Sequence, residues 1–205
     1  MSLPQKNARC TPEEYLEFER QAETRHEYLD GLVYEMAGES LAHSQICVNL
    51  AGELRAQLKG KPCQALSPNM KVRTGESGLF AYPDLTIVCG EPLFHDRQRD
   101  VLLNPTVIFE ALSPSTERYD RGKKFMKYSS TIETLTEYIL VSQDMPLLEY
   151  LERQADGRWL HTFVRGLTEK LYLASIDCEV RLSEVYDRVE FPLEEIGQPL
   201  DISTA

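Results

Sequence analysis

Two short runs of continuous apolar, β-branched residues constrain the fold of this chain more than any other feature. They lie at residues 84–89, with the sequence DLTIVC, and at 106–112, with the sequence TVIFEAL. A strand with one face in water alternates apolar and polar residues, whereas a strand covered on both faces is apolar throughout. The two runs therefore predict central strands of a sheet that carries other elements on both faces.

Helical and hairpin patterns surround these two strands. Leucine and isoleucine recur every fourth residue between Ile46 and Leu58, which predicts a helix over 42–59. A threonine followed by proline and two glutamates predicts a helix over 12–22, and Asp-Gly pairs at 30–31 and 156–157 predict hairpin turns. The remaining expected elements are strands over 64–66, 70–73 and 137–142, a polar surface loop over 90–104, and helices over 115–130 and 182–188.

These elements predict an α/β fold in which helices flank a mixed β-sheet, with an additional β-hairpin region at 147–165. The 205 residues contain no linker long enough to divide the chain. We expect a single domain over 11–190, preceded by a flexible N-terminus at 1–10 and followed by a C-terminal tail at 191–205.

The charge balance limits the modes of nucleic-acid binding that the chain could use. It carries 33 acidic against 22 basic side chains, a formal net charge of −11, whereas a protein that binds nucleic acid by overall charge neutralisation is basic. Any such role therefore needs a localised groove or a bound cation.

Five widely spaced cysteines without a CxxC pair favour reduced thiols, and no stretch has the pattern of a signal peptide or membrane span. We expect a cytoplasmic protein that does not contact a membrane.

Acidic side chains accompany both central strands. Asp84 begins the first, and Glu110 lies inside the second, where an ionised carboxylate is costly to bury unless it is paired or binds a metal. Asp120, Lys124 and Tyr128 follow at four-residue spacing and share one helix face. Two carboxylates and an ammonium placed this way can hold a hard divalent cation, for which oxygen ligands are suited, and orient water against a phosphodiester.

The same spacing also fits a purely structural arrangement. In that interpretation Asp84 caps a strand, Glu110 pairs with Lys124, and Asp120 with Lys124 forms an ordinary ion pair on a helix surface. Such surface pairs are common and stabilise a protein by only about 0.3–0.5 kcal/mol. The residue pattern alone leaves both interpretations open.

Several motifs taken together resemble the Uma-two family of restriction-endonuclease-like proteins, whose fold is of the PD-(D/E)XK nuclease type. The resemblance covers about 11–188 and is carried by RHEYLDG at 25–31, His43, YPDL at 82–85, FEALSPST at 109–116, DRGKK at 120–124 and Tyr128. It implies that Asp84 and Glu110 bind the metal and that Glu27 completes the catalytic site. The motif lysine is replaced by Leu112, and the resemblance implies that the following helix supplies the missing ammonium. Lys124 fits this role better than Lys123 because it shares a helix face with Asp120 and Tyr128.

The activity that this resemblance implies is Mg²⁺-dependent hydrolysis of DNA phosphodiester bonds by an endonuclease, with Mn²⁺ as an alternative ion. DNA would bind in a localised groove, and we expect a homodimer because two copies related by a twofold axis can cut both strands. Two alternatives stay open. One is a catalytically silent DNA-binding or regulatory protein with the nuclease fold, and the other is a structural oligomer built through the second hairpin.

A few other residues are weaker candidates for function. His43 fits a helix cap or core edge better than a site residue. Ser113 could belong to a hydrolase triad, but without a GxSxG elbow it fits a turn better. Basic side chains that could contact phosphates are Arg97, Arg99, Lys71 and Arg73.

Overall fold

The computed structural model describes residues 9–75 and 78–192. Its strands, in chain order, are β1 (His26–Leu29), β2 (Leu32–Glu35), β3 (Cys63–Leu66), β4 (Lys71–Thr74), β5 (Leu79–Ala81), β6 (Leu85–Cys89), β7 (Val101–Leu102), β8 (Val107–Ala111), β9 (Glu137–Val141), β10 (Leu147–Arg153), β11 (Trp159–Arg165), β12 (Lys170–Leu173) and β13 (Cys178–Arg181). Its helices are α1 (Pro12–Glu19), α2 (Leu41–Gln57), α3 (Glu117–Tyr119), α4 (Phe125–Thr131) and α5 (Leu182–Val185), with a π-helical turn (Asp120–Lys124) between α3 and α4.

The strands form two mixed sheets and a small ladder. The larger sheet has the order β11-β10-β9-β8-β6-β3, in which β8 and β9 run parallel and the other neighbours antiparallel. The second sheet has the order β2-β1-β5-β4-β7, and β12 pairs with β13. The predicted α/β class with a mixed sheet is therefore confirmed.

Both faces of β6 and β8 are covered, which explains why their sequences are continuously apolar. On one face, Ile46, Leu50 and Leu54 of α2 pack in a cluster that includes Leu85 and Phe109. On the other face, Val88 of β6 and Ile108 of β8 lie in a second cluster with side chains from β4, β5 and α4. Because apolar burial stabilises a fold at roughly 25 cal/mol per Å², this double coverage fixes β6 and β8 at the centre of the structure.

The hairpins and the long helix agree with the sequence predictions, but several connections differ. The 90–104 segment is not only a polar loop, because Val101 and Leu102 form the buried strand β7, and β5 was not predicted. The helix expected over 115–130 contains the π-helical turn, and the last helix ends at Val185 instead of 188. β5 and β7 have only three and two residues, too few to show a periodic pattern.

The cysteine prediction is wrong for one pair. Cys63 and Cys89 face each other across the β3–β6 ladder and form a disulfide, whereas Cys10, Cys47 and Cys178 are free. The two residues are 26 positions apart in the sequence, so only the strand register reveals that they are neighbours.

The expected ends of the domain lie mostly outside the described residues. The predicted flexible segment at 1–10 is described only from residue 9, and the predicted tail at 191–205 only to residue 192. The domain bounds at 11 and 190 therefore stay predictions. Within 9–75 and 78–192, no helix is both long enough and apolar enough to cross a bilayer.

Candidate active site

The register of the two central strands brings Asp84 and Glu110 side by side. β6 and β8 pair Leu85 with Phe109, and continuing this register by one residue places Asp84, just before β6, opposite Glu110. Directly opposite residues of an antiparallel pair project to the same face of the sheet. The backbone N–H of Ala111 donates a hydrogen bond to Oδ2 of Asp84 at 2.7 Å, which ties this carboxylate to the end of β8.

Lys124 reaches this pair of carboxylates from the π-helical turn, a type of distortion found frequently at functional sites. Its Nζ lies 2.9 Å from Oε1 of Glu110, 3.2 Å from Oε1 of Glu27 and 3.3 Å from Oδ1 of Asp120. All four side chains are buried. The interpretation of Asp120 and Lys124 as an exposed helix-surface pair is therefore wrong. Although burial alone lowers the pKa of Lys124, the three carboxylates outweigh it and raise that pKa well above its usual value.

The cluster contains more negative than positive charge. Burial raises the pKa of Glu110 well above its usual value, and the nearby Lys124 ammonium offsets this only in part. Oε1 of Glu110 accepts no hydrogen bond of good geometry from the described residues, so its 2.9 Å contact with Nζ is an ion pair without a directed bond. One ammonium is shared among Glu27, Glu110 and Asp120, with Asp84 beside them. A further cation would relieve this imbalance.

His43 lies against Asp84 in the cleft, whereas the sequence favoured a helix cap or the core edge over a place near the site. Its Nε2 lies 2.9 Å from Oδ1 of Asp84, and its Nδ1 lies 3.3 Å from Nε2 of Gln143. Two further bonds orient that amide: Gln143 Oε1 accepts from the Ser40 hydroxyl, and Nε2 donates to the Leu112 carbonyl. Since the amide nitrogen faces Nδ1, neutral His43 carries its proton on Nε2 and donates it to Asp84.

A cleft of about 520 Å³ opens over this cluster. Its lining includes every residue that the sequence placed in the catalytic site: Glu27, Asp84, Glu110 and Lys124. His43, Cys47 and Gln143 also line it. Ser40 and Gln143 were missed, because they are 103 residues apart and belong to no recognisable motif.

Two kinds of possible metal ligand lie near Asp84: the imidazole and thiol of His43 and Cys47, and the carboxylate of Glu110. Among residues 9–75 and 78–192, the one trio of His, Cys, Asp or Glu ligand atoms within 4.8 Å of one another is His43, Cys47 and Asp84. However, burial raises the pKa of the Cys47 thiol, which favours its neutral form, and Nε2 of His43 is already engaged with Asp84 at 2.9 Å. The carboxylates of Asp84 and Glu110, which also line the cleft, offer oxygen donors, the type of ligand that Mg²⁺ prefers.

Other candidates from the sequence have structural roles or remain open. The Ser113 hydroxyl contacts the hydroxyls of Ser115 and Thr116, in agreement with a turn. Lys71 pairs with Asp100 at 3.1 Å, and Arg73 contacts His95 at 2.7 Å, so both are engaged inside the protein. Arg97 and Arg99 are exposed, and their contact with phosphates stays a prediction.

Comparison with solved structures identifies a similar fold. A crystal structure from Anabaena variabilis ATCC 29413, described as "a putative nuclease belonging to DUF820", superimposes with a TM-score of 0.71. The match covers 86% of this chain and 97% of the other, at 14% sequence identity. At this identity the likeness concerns the fold.

Sequence comparison identifies the family. The chain is 33% identical over 184 residues to "Uncharacterized protein slr1290" of Synechocystis sp., a match covering 89% of this chain and 94% of that protein. It is 32% identical over 156 residues to "Uncharacterized protein sll1609" of the same organism, covering 76% and 88% of the two chains. The profile of the Uma2 family, described as "Putative restriction endonuclease", matches residues 12–183. With this match over most of its length, the chain belongs to the Uma2 family.

Proposed function

We propose that this chain is a Mg²⁺-dependent endonuclease that hydrolyses phosphodiester bonds of DNA. The observation that carries the proposal is the buried contact of Lys124 with Glu110, 2.9 Å long, in the same cleft as Asp84, which directly precedes β6. The description of the Uma2 family and that of the Anabaena structure support the same class of activity.

Asp84 and Glu110 are the residues that would hold the ion. Both offer carboxylate oxygens, and each lies in the cleft where acidic groups outnumber the ammonium. Bound there, Mg²⁺ would polarise a phosphoryl oxygen and lower the pKa of the attacking water, and Mn²⁺ shares the preference for oxygen ligands.

The other residues of the site orient groups and supply charge. His43 and the Ala111 N–H each donate to one oxygen of Asp84, which fixes the direction of that carboxylate. Leu112 occupies the position of the motif lysine, and Lys124 takes over the role of that lysine. Its ammonium would stabilise negative charge that develops on the phosphate during hydrolysis. Glu27 and Asp120 hold this ammonium in its charged form and in position.

A second candidate function is a DNA-binding or regulatory protein that has lost cleavage. One observation favours it: Nζ of Lys124 is already shared by three carboxylates, so a phosphate would have to compete with them. In that case the protein would bind DNA, and its binding would be insensitive to substitution of Lys124.

Plasmid nicking with Mg²⁺, Mn²⁺ or no added metal, beside calorimetric titration of Mn²⁺, tests the proposal. Asp84→Asn and Glu110→Gln should abolish cleavage and weaken metal binding, because an amide keeps the shape of the side chain but not its charge. Glu117→Gln is a matched control, since Glu117 pairs with Arg121 outside the cleft. Undiminished cleavage by the Glu110→Gln protein would contradict the mechanism.

Parallel assays with single-stranded DNA and RNA test the choice of substrate. If the wild-type protein binds Mn²⁺ and DNA but cuts none of these substrates, the DNA-binding alternative replaces the proposal. We also infer that the active species is a homodimer, because two active sites related by a twofold axis can cut both strands of a duplex.

A further inference from the structure

Strand β11 forms an open edge of the larger sheet. Among the described residues it pairs with β10 on one side and with no strand on the other. Natural edge strands are usually protected by lysine, proline, a bulge or a cover, but β11 has the sequence WLHTFVR and contains neither lysine nor proline. Leu160 and Phe163 are 50% and 62% exposed. The edge therefore offers both free backbone groups and apolar side chains.

The hairpin register shows which backbone groups face the open edge. Gln154 donates to the Arg158 carbonyl at 2.7 Å, and Gly166 donates to the Pro146 carbonyl at 2.9 Å. Hydrogen-bonded pairs alternate along an antiparallel ladder, so Leu160, Thr162 and Val164 bond to β10. The N–H and C=O groups of the intervening residues consequently point away from β10; these are Trp159, His161, Phe163 and Arg165.

We propose that this edge pairs antiparallel with the same edge of a second copy, about a twofold axis at Thr162. In this register Thr162 lies opposite its own copy in a non-hydrogen-bonded pair. His161 then lies opposite Phe163, and Trp159 opposite Arg165, in hydrogen-bonded pairs. Leu160 lies opposite Val164. Each outward-facing residue is used, and four hydrogen-bonded pairs supply about eight backbone hydrogen bonds.

The side chains are self-complementary in this register. An aromatic ring faces a guanidinium, an imidazole faces a phenyl ring, and two aliphatic residues face each other, all combinations that stabilise cross-strand pairs. A register shifted by two residues puts His161 opposite either itself or Arg165, so the pairing of its imidazole with the phenyl ring of Phe163 is lost. The strand contains no acidic residue, so the chain's charge of −11 produces no acid-to-acid contact along the paired edges.

This interface would join the larger sheets of two molecules into one continuous sheet. It involves none of the residues that line the active-site cleft. The inference therefore depends only on the edge geometry and would hold even if the protein did not cleave DNA.

Register-specific cross-linking tests the interface. At a non-hydrogen-bonded antiparallel pair the Cα atoms lie about 4.5 Å apart, within the range that a disulfide bridges. Thr162→Cys should therefore give a covalent dimer under mild oxidation. Leu160→Cys is the matched control, because the two copies of residue 160 lie several residues apart in this register, and the parent protein measures background from its native thiols. Cross-linking of Leu160→Cys equal to that of Thr162→Cys would overturn the register.

Light scattering tests whether the interface forms without a cross-link. The parent protein should be a dimer at micromolar concentration, and Phe163→Lys should weaken dimerisation at least about tenfold because it replaces the phenyl ring opposite His161 with a hydrated ammonium. Leu93→Lys, at another exposed apolar residue outside the hairpin, should leave the dimer intact. A parent protein that is monomeric, or a Phe163→Lys protein that dimerises normally, would overturn the proposal.

Discussion

The ammonium of Lys124 lies 2.9 Å from Oε1 of Glu110, and the side chains of both residues are almost wholly buried. The two partners are not equivalent. Lys124 is the cation shared by Glu27, Glu110 and Asp120, whereas Glu110 is one of three carboxylates around it. Substituting either residue should therefore affect stability and catalysis in different proportions.

Lys124→Met should destabilise the metal-free protein by about 3–5 kcal/mol, because it leaves buried carboxylates without their cation. Glu110→Gln should change the free energy of unfolding by at most about 1 kcal/mol, since burial already disfavours the charged form of Glu110. Glu110→Gln should abolish cleavage because a metal ligand is lost, and Lys124→Met should lower it by about 10²–10³ because a charge-stabilising donor is lost. Urea unfolding in the presence of a chelator and nicking assays on the folded fraction measure the two effects.

Lys123→Met is the control for this comparison. Lys123 is half-exposed, and its Nζ lies 3.4 Å from Asp30, so its removal should cost less than about 1 kcal/mol. Equal destabilisation by Lys124→Met and Lys123→Met would show that the buried cluster does not depend on its cation.

His43→Ala should weaken Mn²⁺ binding about 10–100-fold, as is typical when a residue that orients a metal ligand is lost. The reason is that Asp84 loses the hydrogen bond to Oδ1 and keeps only the Ala111 N–H on Oδ2. Calorimetric titration measures the affinity, and a thermal melt checks the fold. His95→Ala, outside the cleft lining, should bind Mn²⁺ normally. Unchanged affinity in His43→Ala would show that Ala111 alone orients the carboxylate.

The sequence predicts the central strands well because strands that are buried on both faces consist almost entirely of apolar residues. Both apolar runs became β6 and β8, and the four-residue repeat of Ile46, Leu50 and Leu54 became the buried face of α2. Glu110 stood out for a related reason, since a charged residue inside a buried run requires a partner. Lys124 was indicated by its shared helix face with Asp120 and Tyr128, whereas Glu27 came from the family resemblance alone.

Features that depend on contacts between distant segments could not be predicted. Gln143 orients His43 across 100 residues, and a single glutamine carries no sequence signal. The Cys63–Cys89 disulfide depends on the register of β3 against β6. The π-helical turn changes the helical hydrogen-bond pattern for five residues, too few to alter the apolar periodicity.

Asp100→Asn should lower stability at neutral pH but not in strong acid. Hydrogen bonds from Arg20 outweigh burial and, helped by Lys71, lower the pKa of Asp100 from 3.8 to about 2. An acid with a lowered folded pKa stabilises the fold above its unfolded pKa and loses that contribution as the pH falls through its folded pKa. Because the carboxylate is partly exposed, we expect a difference of about 1 kcal/mol near neutral pH.

Urea unfolding of wild type and Asp100→Asn across this pH range tests the prediction. The difference in free energy of unfolding should be constant above about pH 5 and shrink between about pH 4 and pH 2. Arg20→Gln removes the same ion pair by changing its other partner. Its difference in free energy of unfolding from the wild type should shrink over the same pH range. If the difference in free energy of unfolding did not depend on pH, the effect of Asp100→Asn would come from packing and not from the charge of Asp100.

The Cys63–Cys89 disulfide should stabilise the protein by about 3 kcal/mol, because it closes a loop of 26 residues in the unfolded chain. Replacing both residues with alanine should lower the urea midpoint accordingly, and reducing the wild type should lower it to a similar value. Thiol titration of the denatured, unreduced protein should find three reactive groups, those of Cys10, Cys47 and Cys178. Cys10→Ser is the control, since it should remove one titratable thiol and leave the midpoint unchanged. Five reactive thiols before reduction, or a double-alanine protein as stable as the wild type, would contradict the pairing.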